Sequence, residues 1–136
     1  MKSTQRQFLI SVGGVSGYFA TKSGGNVTSA TSKVWDGGAR KPDVLAAPPE
    51  ADNLTVGRPY DADRDQPIIK DLKAQVGAFT ATVTVTPLDR NMRPVAGVEP
   101  DVYADALLVR VGDPEADAGS GDAARFELEF AVGDYA

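Results

Sequence analysis

The amino-acid sequence predicts a mainly β fold: an antiparallel β-sandwich or barrel of two packed sheets, with one flanking α-helix at about residues 66–76. Three observations carry this. Residues 79–86 read Phe-Thr-Ala-Thr-Val-Thr-Val-Thr, which puts Phe79, Ala81, Val83 and Val85 on one face and Thr80, Thr82, Thr84 and Thr86 on the other. Residues 125–132 read Arg-Phe-Glu-Leu-Glu-Phe-Ala-Val, which sets Phe126, Leu128, Phe130 and Val132 against Arg125, Glu127 and Glu129. Side chains alternate across a strand, so each segment has one dry and one wet face, as antiparallel sheets do. Only one segment of the chain carries helical spacing instead.

From the N-terminus, residues 7–20 read as a strand pair or bent strand, broken by Gly13-Gly14 and Gly17. Ser23-Gly24-Gly25-Asn26 signals a tight turn. Val27 to Trp35 is a Thr/Ser-rich strand ending at Asp36-Gly37-Gly38. Residues 37–52 carry Pro42, Pro48 and Pro49 with little periodicity, so they read as a long loop or arm. Ordinary connections run to about four to six residues, and longer ones in compact domains are functional or mobile. Leu54 to Tyr60 is a short strand.

The helix follows. Asp65 is the expected N-cap and Pro67 falls in the first turn, where its missing N–H costs nothing. Ile68, Ile69, Leu72 and Val76 fall on one face, Lys73 lies near the negative end of the dipole, and Gly77 is the expected residue just past the end. Asp89-Arg90-Asn91 is a turn. Val102 to Val111 is a strand in which Leu107-Leu108-Val109 is apolar on both faces, as for a strand covered on both sides or at a subunit contact. Residues 112–122 form a flexible acidic loop, the 125–132 strand follows, and 134–136 are a short tail.

The 136 residues suit a single domain over 1–136, and a hydrophobic fraction of 42% is enough for a core without disulfides. Cysteine and histidine are both absent, which removes thiol nucleophiles, Ser-His-Asp triads and Cys/His metal sites together. No apolar run approaches bilayer-spanning length, and Phe8 to Val12 is too short for a signal-peptide core, so cytoplasmic folding and no membrane insertion are expected. The net charge of −5 is uneven: residues 1–98 hold 12 Lys/Arg and 9 Asp/Glu, residues 99–136 hold 2 and 10. An acidic C-terminal third argues against ordinary nucleic-acid binding. It suits either a solvated face or a surface along which a polyanion slides without sticking.

Candidate chemistry is thin. Asp61, Asp63 and Asp65 start like a calcium loop, but Gln66 and Leu72 stand where glycine and glutamate are needed. Helix capping, with Arg58 and Arg64 pairing nearby, accounts for them better. Gly119-Ser120-Gly121 lacks the following helix of a phosphate cradle. Glu127 and Glu129 have about the spacing of a glycosidase pair, but no aromatic subsite accompanies them, and a wet acidic strip is the simpler reading. Trp35 reads as core or interface packing. No catalytic residue, metal ligand or cofactor is expected.

The stretch from Val15 to Gly25 resembles the start of bacteriophage tail tube (major tail) proteins. So does the progression from Val34-Trp35-Asp36-Gly37-Gly38 through a Pro/Ala loop to Asn53-Leu54-Thr55-Val56-Gly57-Arg58-Pro59-Tyr60-Asp61, then Arg64-Asp65 opening a helix. The resemblance implies a structural virion protein. Its copies form hexameric rings that stack into a hollow tail tube, assembled in the host bacterial cytoplasm, through which double-stranded DNA passes without specific binding. It implies as partners a tape-measure protein, a tail terminator and tail-tip or baseplate proteins, with a sheath left open. Glu127, Glu129, Thr80, Thr82 and Thr84 are then candidates to face the lumen. Lys41, Pro42, Leu45, Pro48 and Pro49 on the arm, and Asp113, Glu115 and Asp117 on the acidic loop, are candidates for subunit or ring contacts. Two alternatives stand: the inner tube of a contractile protein-delivery particle, and a monomeric β-sandwich binding module.

Overall fold

The computed structural model describes residues 2–38 and 40–133; the tail expected at 134–136 lies outside the described residues. The elements are β1 (Phe8–Val12), β2 (Tyr18–Phe19), β3 (Thr21–Gly24), β4 (Val27–Thr28), β5 (Thr31–Val34), β6 (Asp43–Ala46), β7 (Glu50–Ala51), β8 (Leu54–Pro59), α1 (Ala62–Lys73), β9 (Thr80–Pro87), β10 (Asp101–Gly112) and β11 (Arg125–Ala131). The mainly β class with one helix is as the sequence implied.

Seven strands form one sheet in the order β2-β1-β9-β10-β11-β8-β3, with every pairing antiparallel. Its two edges, β2 and β3, are consecutive in the chain and separated only by Ala20. One residue cannot bridge the width of a flat seven-stranded sheet. The sheet therefore curls until its edges meet: Ala20 N donates to Gly57 O at 2.8 Å, and the Phe19 and Phe126 rings lie 5.9 Å apart across the interior. The curl is not a closed barrel, because β2 and β3 do not pair with each other.

The alternating strands put their apolar sets inside. Ala81, Val83 and Val85 of β9, Phe126, Leu128 and Phe130 of β11, and Leu54 and Val56 of β8 are buried. Burying each large apolar side chain contributes about 1.5–3 kcal/mol, so this interior holds the body together. Helix α1 packs against β10, with Ile69 and Leu72 in the same buried cluster.

The helix starts earlier than the sequence suggested. Asp61, not Asp65, is the N-cap: its backbone is extended and its carboxylate accepts from Asp63 N at 3.2 Å. Asp61, Asp63 and Asp65 can each cap by residue type, and the tertiary burial of Asp65 decides between them. Pro67 sits inside the helix as a result. Gly77 is not the residue just past the helix end. It takes φ +86° beyond the Ala74 cap, and its N–H donates to Leu108 O at 2.8 Å. Val76 is exposed and outside the helix.

The 37–52 segment is not an unstructured loop. β6 pairs with β5 and β7 with β4, so the described residues between 27 and 51 form one long hairpin arm. The prolines fall outside the ladder's needs: Pro42 precedes β6, and Pro48 and Pro49 separate β6 from β7. The arm leaves the body at Gly24 and Gly25, both at positive φ. A Cβ on Gly24 would lie 1.9 Å from Asn53 O, so only glycine fits that crossing.

Candidate assembly surfaces

Three surfaces collect the residues singled out from the sequence. The first is the outer face of the curled sheet. Thr80, Thr82 and Thr84 stand on it from β9, and Glu127 and Glu129 stand on it from β11. Strand β10 separates the two rows: Leu107 pairs with Thr80 on one side and with Ala131 on the other. The structure thus brings both candidate rows to one face, about two strand spacings apart.

The Glu row is not an acidic strip. Arg110 lies 3.6 Å from Glu127 and 3.5 Å from Glu129, and Arg125 lies 3.6 Å from Glu127. Asn53 donates to Glu129 at 3.0 Å, and Arg125 donates to Thr21 Oγ1 at 2.7 Å. Two arginines and two glutamates cancel in local charge. A β-bulge between Leu108 and Arg110 shifts the register so that Arg110 comes opposite Glu129. That shift is a tertiary fact the local pattern does not carry. It also resolves the apolar Leu107-Leu108-Val109 run, in which Leu108 is buried inside while Leu107 and Val109 are half-buried outside.

The second surface is the acidic loop. Asp113, Glu115 and Asp117 are exposed on it. Lys73 at the end of α1 holds Asp113 at 2.6 Å, and Asp117 Oδ1 accepts from Gly119 N at 3.0 Å. The loop closes one side of an open polar cleft whose other side is Arg110, Arg125 and Glu127. Four of the ten carboxylates of residues 99–136 stand on this loop, Asp113, Glu115, Asp117 and Asp122, against two on the strand face.

The third surface is the arm. Every residue of β4, β5 and β6 is exposed. Val27, Val34, Trp35, Val44 and Leu45 are large apolar residues left in water, with Trp35 62% and Val44 61% exposed. Lys41, Leu45, Pro48 and Pro49 are exposed and Pro42 is half-buried. Trp35 does not pack in the core. Backbone groups are satisfied within the arm, as in Ala47 N to Ala30 O at 2.7 Å and Asp52 N to Asn26 O at 3.0 Å. The arm is thus paired strand to strand, and beyond Ala51, which packs against the core, its apolar side chains stay largely exposed.

The pairing of Arg58 and Arg64 beside the helix cap, expected from the sequence, is present at Asp65, and its burial is what the sequence did not show. Arg58 and Asp65 are both buried and form an ion pair. Arg58 Nη1 also donates to Ser16 O at 2.6 Å, and its guanidinium carbon lies 4.6 Å from the Phe19 ring centroid and 5.3 Å from that of Phe126. Asp65 accepts from Asp61 N at 3.0 Å and from Arg64 Nε at 3.1 Å. Burial pushes the Asp65 carboxyl up, but hydrogen bonds from Arg64, the Asp61 backbone and Arg58 outweigh it and hold it below the usual carboxylate range. This clamp ties β8, α1 and the turn between β1 and β2. Its signal was parity: Arg58 follows Leu54 and Val56 at spacing two, on the inward side of β8.

Among the described residues, no group of three or more acidic side chains is placed to hold a metal ion, and no helix is long and apolar enough to cross a membrane. No protein-family model matches the chain, and no curated protein sequence does. Solved structures do match. A chain of the anti-feeding prophage (AFP) baseplate is 22% identical with a TM-score of 0.76, covering 100% of this chain and 95% of that one. A chain of the PVC sheath/tube terminator, from an extracellular contractile injection system in its extended state, is 18% identical with a TM-score of 0.76, covering 100% and 96%. A chain of the PVC sheath-tube complex, also extended, is 18% identical with a TM-score of 0.73, covering 96% and 87%. At these identities the likeness establishes the fold. It is the fold of chains in phage-tail-like contractile injection assemblies, in keeping with the tail-tube resemblance.

Proposed function

We propose that this chain is a structural subunit of a phage-tail-like tube, built from rings of six copies stacked around a lumen. The observation that carries the reading is the full-length fold match to chains of contractile injection assemblies. The arm supports it. A two-stranded hairpin is marginal in water on its own, and five exposed large apolar residues on one hairpin call for a covering surface. Tube, terminator, baseplate and sheath proteins are the partners this reading supplies, within a phage-tail-like particle. A tape-measure protein would set the length.

Of the two cargoes, protein fits better than DNA. A wall meant to pass DNA repels phosphates. The candidate wall here carries Thr80, Thr82, Thr84 and a charge-balanced Arg110, Arg125, Glu127 and Glu129 cluster, which gives no such field. The role is mechanical, with no enzymatic step.

The test is negative-stain electron microscopy of the purified chain at high concentration, with light-scattering mass alongside. Rings or tubes with a central hole are expected. A strict monomer at every concentration, even with tip proteins added, would bring forward the monomeric binding module. Replacing Glu127 and Glu129 with lysine in assembled particles separates the cargoes: DNA passage would stall on the basic wall, whereas protein delivery would continue.

A further inference from the structure

The curled sheet has a gap at one end. β2 pairs with β1 only through Ile10 and Ser11. At Ala20 the chain then leaves β1 for the edge of β8, so the line that β2 would have continued beside Leu9 and Phe8 has no strand on it. β3 is the sheet's other edge and pairs with β8 alone. Between the two edges lies an open cleft of about 640 Å³ lined by Arg6, Phe8 and Ile10 on one side and Thr21 and Lys22 on the other, with Val85 in its floor. Its base is apolar, and its rim carries Arg6 and Lys22 together with one carboxylate, Asp101. The Lys22 ammonium sits 5.7 Å from the Tyr103 ring centroid at the mouth. A groove between two sheet edges with that lining fits one extended strand carrying apolar side chains and a carboxylate.

The chain itself carries such a strand. β6 reads Asp43-Val44-Leu45-Ala46, and all four residues are exposed. It pairs with β5 along one edge, and its other edge is unpaired among the described residues. It is four residues long, as β3 is. The geometry points to β6 of a second copy entering the gap between β1 and β3, with Val44 or Leu45 on the Phe8, Ile10 and Val85 floor and Asp43 beside Arg6 and Lys22. This rests on the reading of the chain as a self-assembling subunit. It adds the contact that joins the copies. Arm and gap are different surfaces, and each copy gives one strand and receives one. Passed head to tail, such contacts close into rings or continue as filaments; exchanged reciprocally between two copies, they would close as a two-fold dimer.

The chain contains no cysteine, which gives disulfide trapping a clean background. A Val44→Cys chain is mixed with a Thr21→Cys chain under assembly conditions and oxidised, with Gly121→Cys on the acidic loop as control partner. The expected result is a cross-linked pair for Val44→Cys with Thr21→Cys, well above the control. Assembled rings or tubes in which the cross-link does not exceed the control would overturn the strand placement and leave the tube reading standing. A chain that stays monomeric would overturn both. A charge exchange gives an independent reading: Asp43→Lys weakens assembly, and adding Lys22→Asp and Arg6→Asp to the same chain restores it. Equal assembly in all three proteins would count against the contact.

Discussion

The body and the arm are built from the same strand chemistry and held by opposite means. In the body, Leu54, Val56, Phe126, Leu128 and Phe130 have no exposed surface, and the sheet folds over them. In the arm, every residue of β4, β5 and β6 is exposed, and Val34, Trp35, Val44 and Leu45 lie outside the buried core. Backbone pairing is present in both. Burial is present in only one, so the two regions differ in what their side chains are for. Inward side chains of the body stabilise the chain. The exposed apolar side chains of the arm contribute far less to the chain alone, and on the proposed reading they are covered by a second copy.

The sharpest way to break that comparison is to truncate matched apolar residues in each region. Phe126→Ala should cost about 3–5 kcal/mol, since it empties a fully buried site beside Phe19. Urea denaturation reads this as a fall in midpoint at unchanged slope. A fall no larger than that of an arm substitution would mean the body is not the stabilising unit.

The Arg58–Asp65 clamp belongs with the body and tests its polar side. Asp65→Asn leaves a buried guanidinium without its counter-charge, and breaking such pairs costs about 3–5 kcal/mol. The pH dependence has a definite sign. The folded Asp65 carboxyl lies below its ordinary value of about 3.9, so its contribution is full above that pH. It is lost as pH falls through the folded value, because the unfolded chain takes up the proton first. Denaturation midpoints measured from neutral to acid pH should fall more steeply in the parent chain than in Asp65→Asn. Parallel curves would mean that Asp65 is not held ionised.

The outer-face cluster should behave as surface charge. Arg110 is 47% exposed and its carboxylate contacts are 3.5 and 3.6 Å, so Arg110→Ala should cost about 0–1 kcal/mol, and less in high salt. A larger loss in the isolated chain would mark the cluster as structural rather than as a wall presented to something else.

What the sequence made legible follows the same division. β9 and β11 were readable because one face is dry and the other wet, and burial writes itself as period two. β6 and β7 were not, because a strand exposed on both faces has no reason to alternate, and their prolines read as loop. The helix was placed by Ile68, Ile69 and Leu72, but its start was not, since Asp61, Asp63 and Asp65 have equal capping chemistry until Arg58 is seen to take Asp65. Glu127 and Glu129 were legible as a row. Their neutralisation by Arg110 depends on a bulge in β10 and on a register between strands far apart in the chain. Local pattern reports the environment of a side chain, not its partners.

The smallest effect on the isolated chain belongs to the arm, and it is the most telling. Leu45 is 55% exposed and sits on a strand that, among the described residues, pairs only with its hairpin partner. Leu45→Asn should lower the stability of the monomer by no more than about 0.5 kcal/mol, because the side chain lies outside the buried core. The same substitution should abolish or sharply reduce the assembled fraction seen by light scattering, since a polar side chain would then enter an apolar seat. The two readouts must separate for the comparison to hold. If Leu45→Asn destabilises the monomer as Phe126→Ala does, the arm packs on its own body in solution. If it leaves both stability and assembly untouched, the exposed apolar residues of the arm are not what joins the copies.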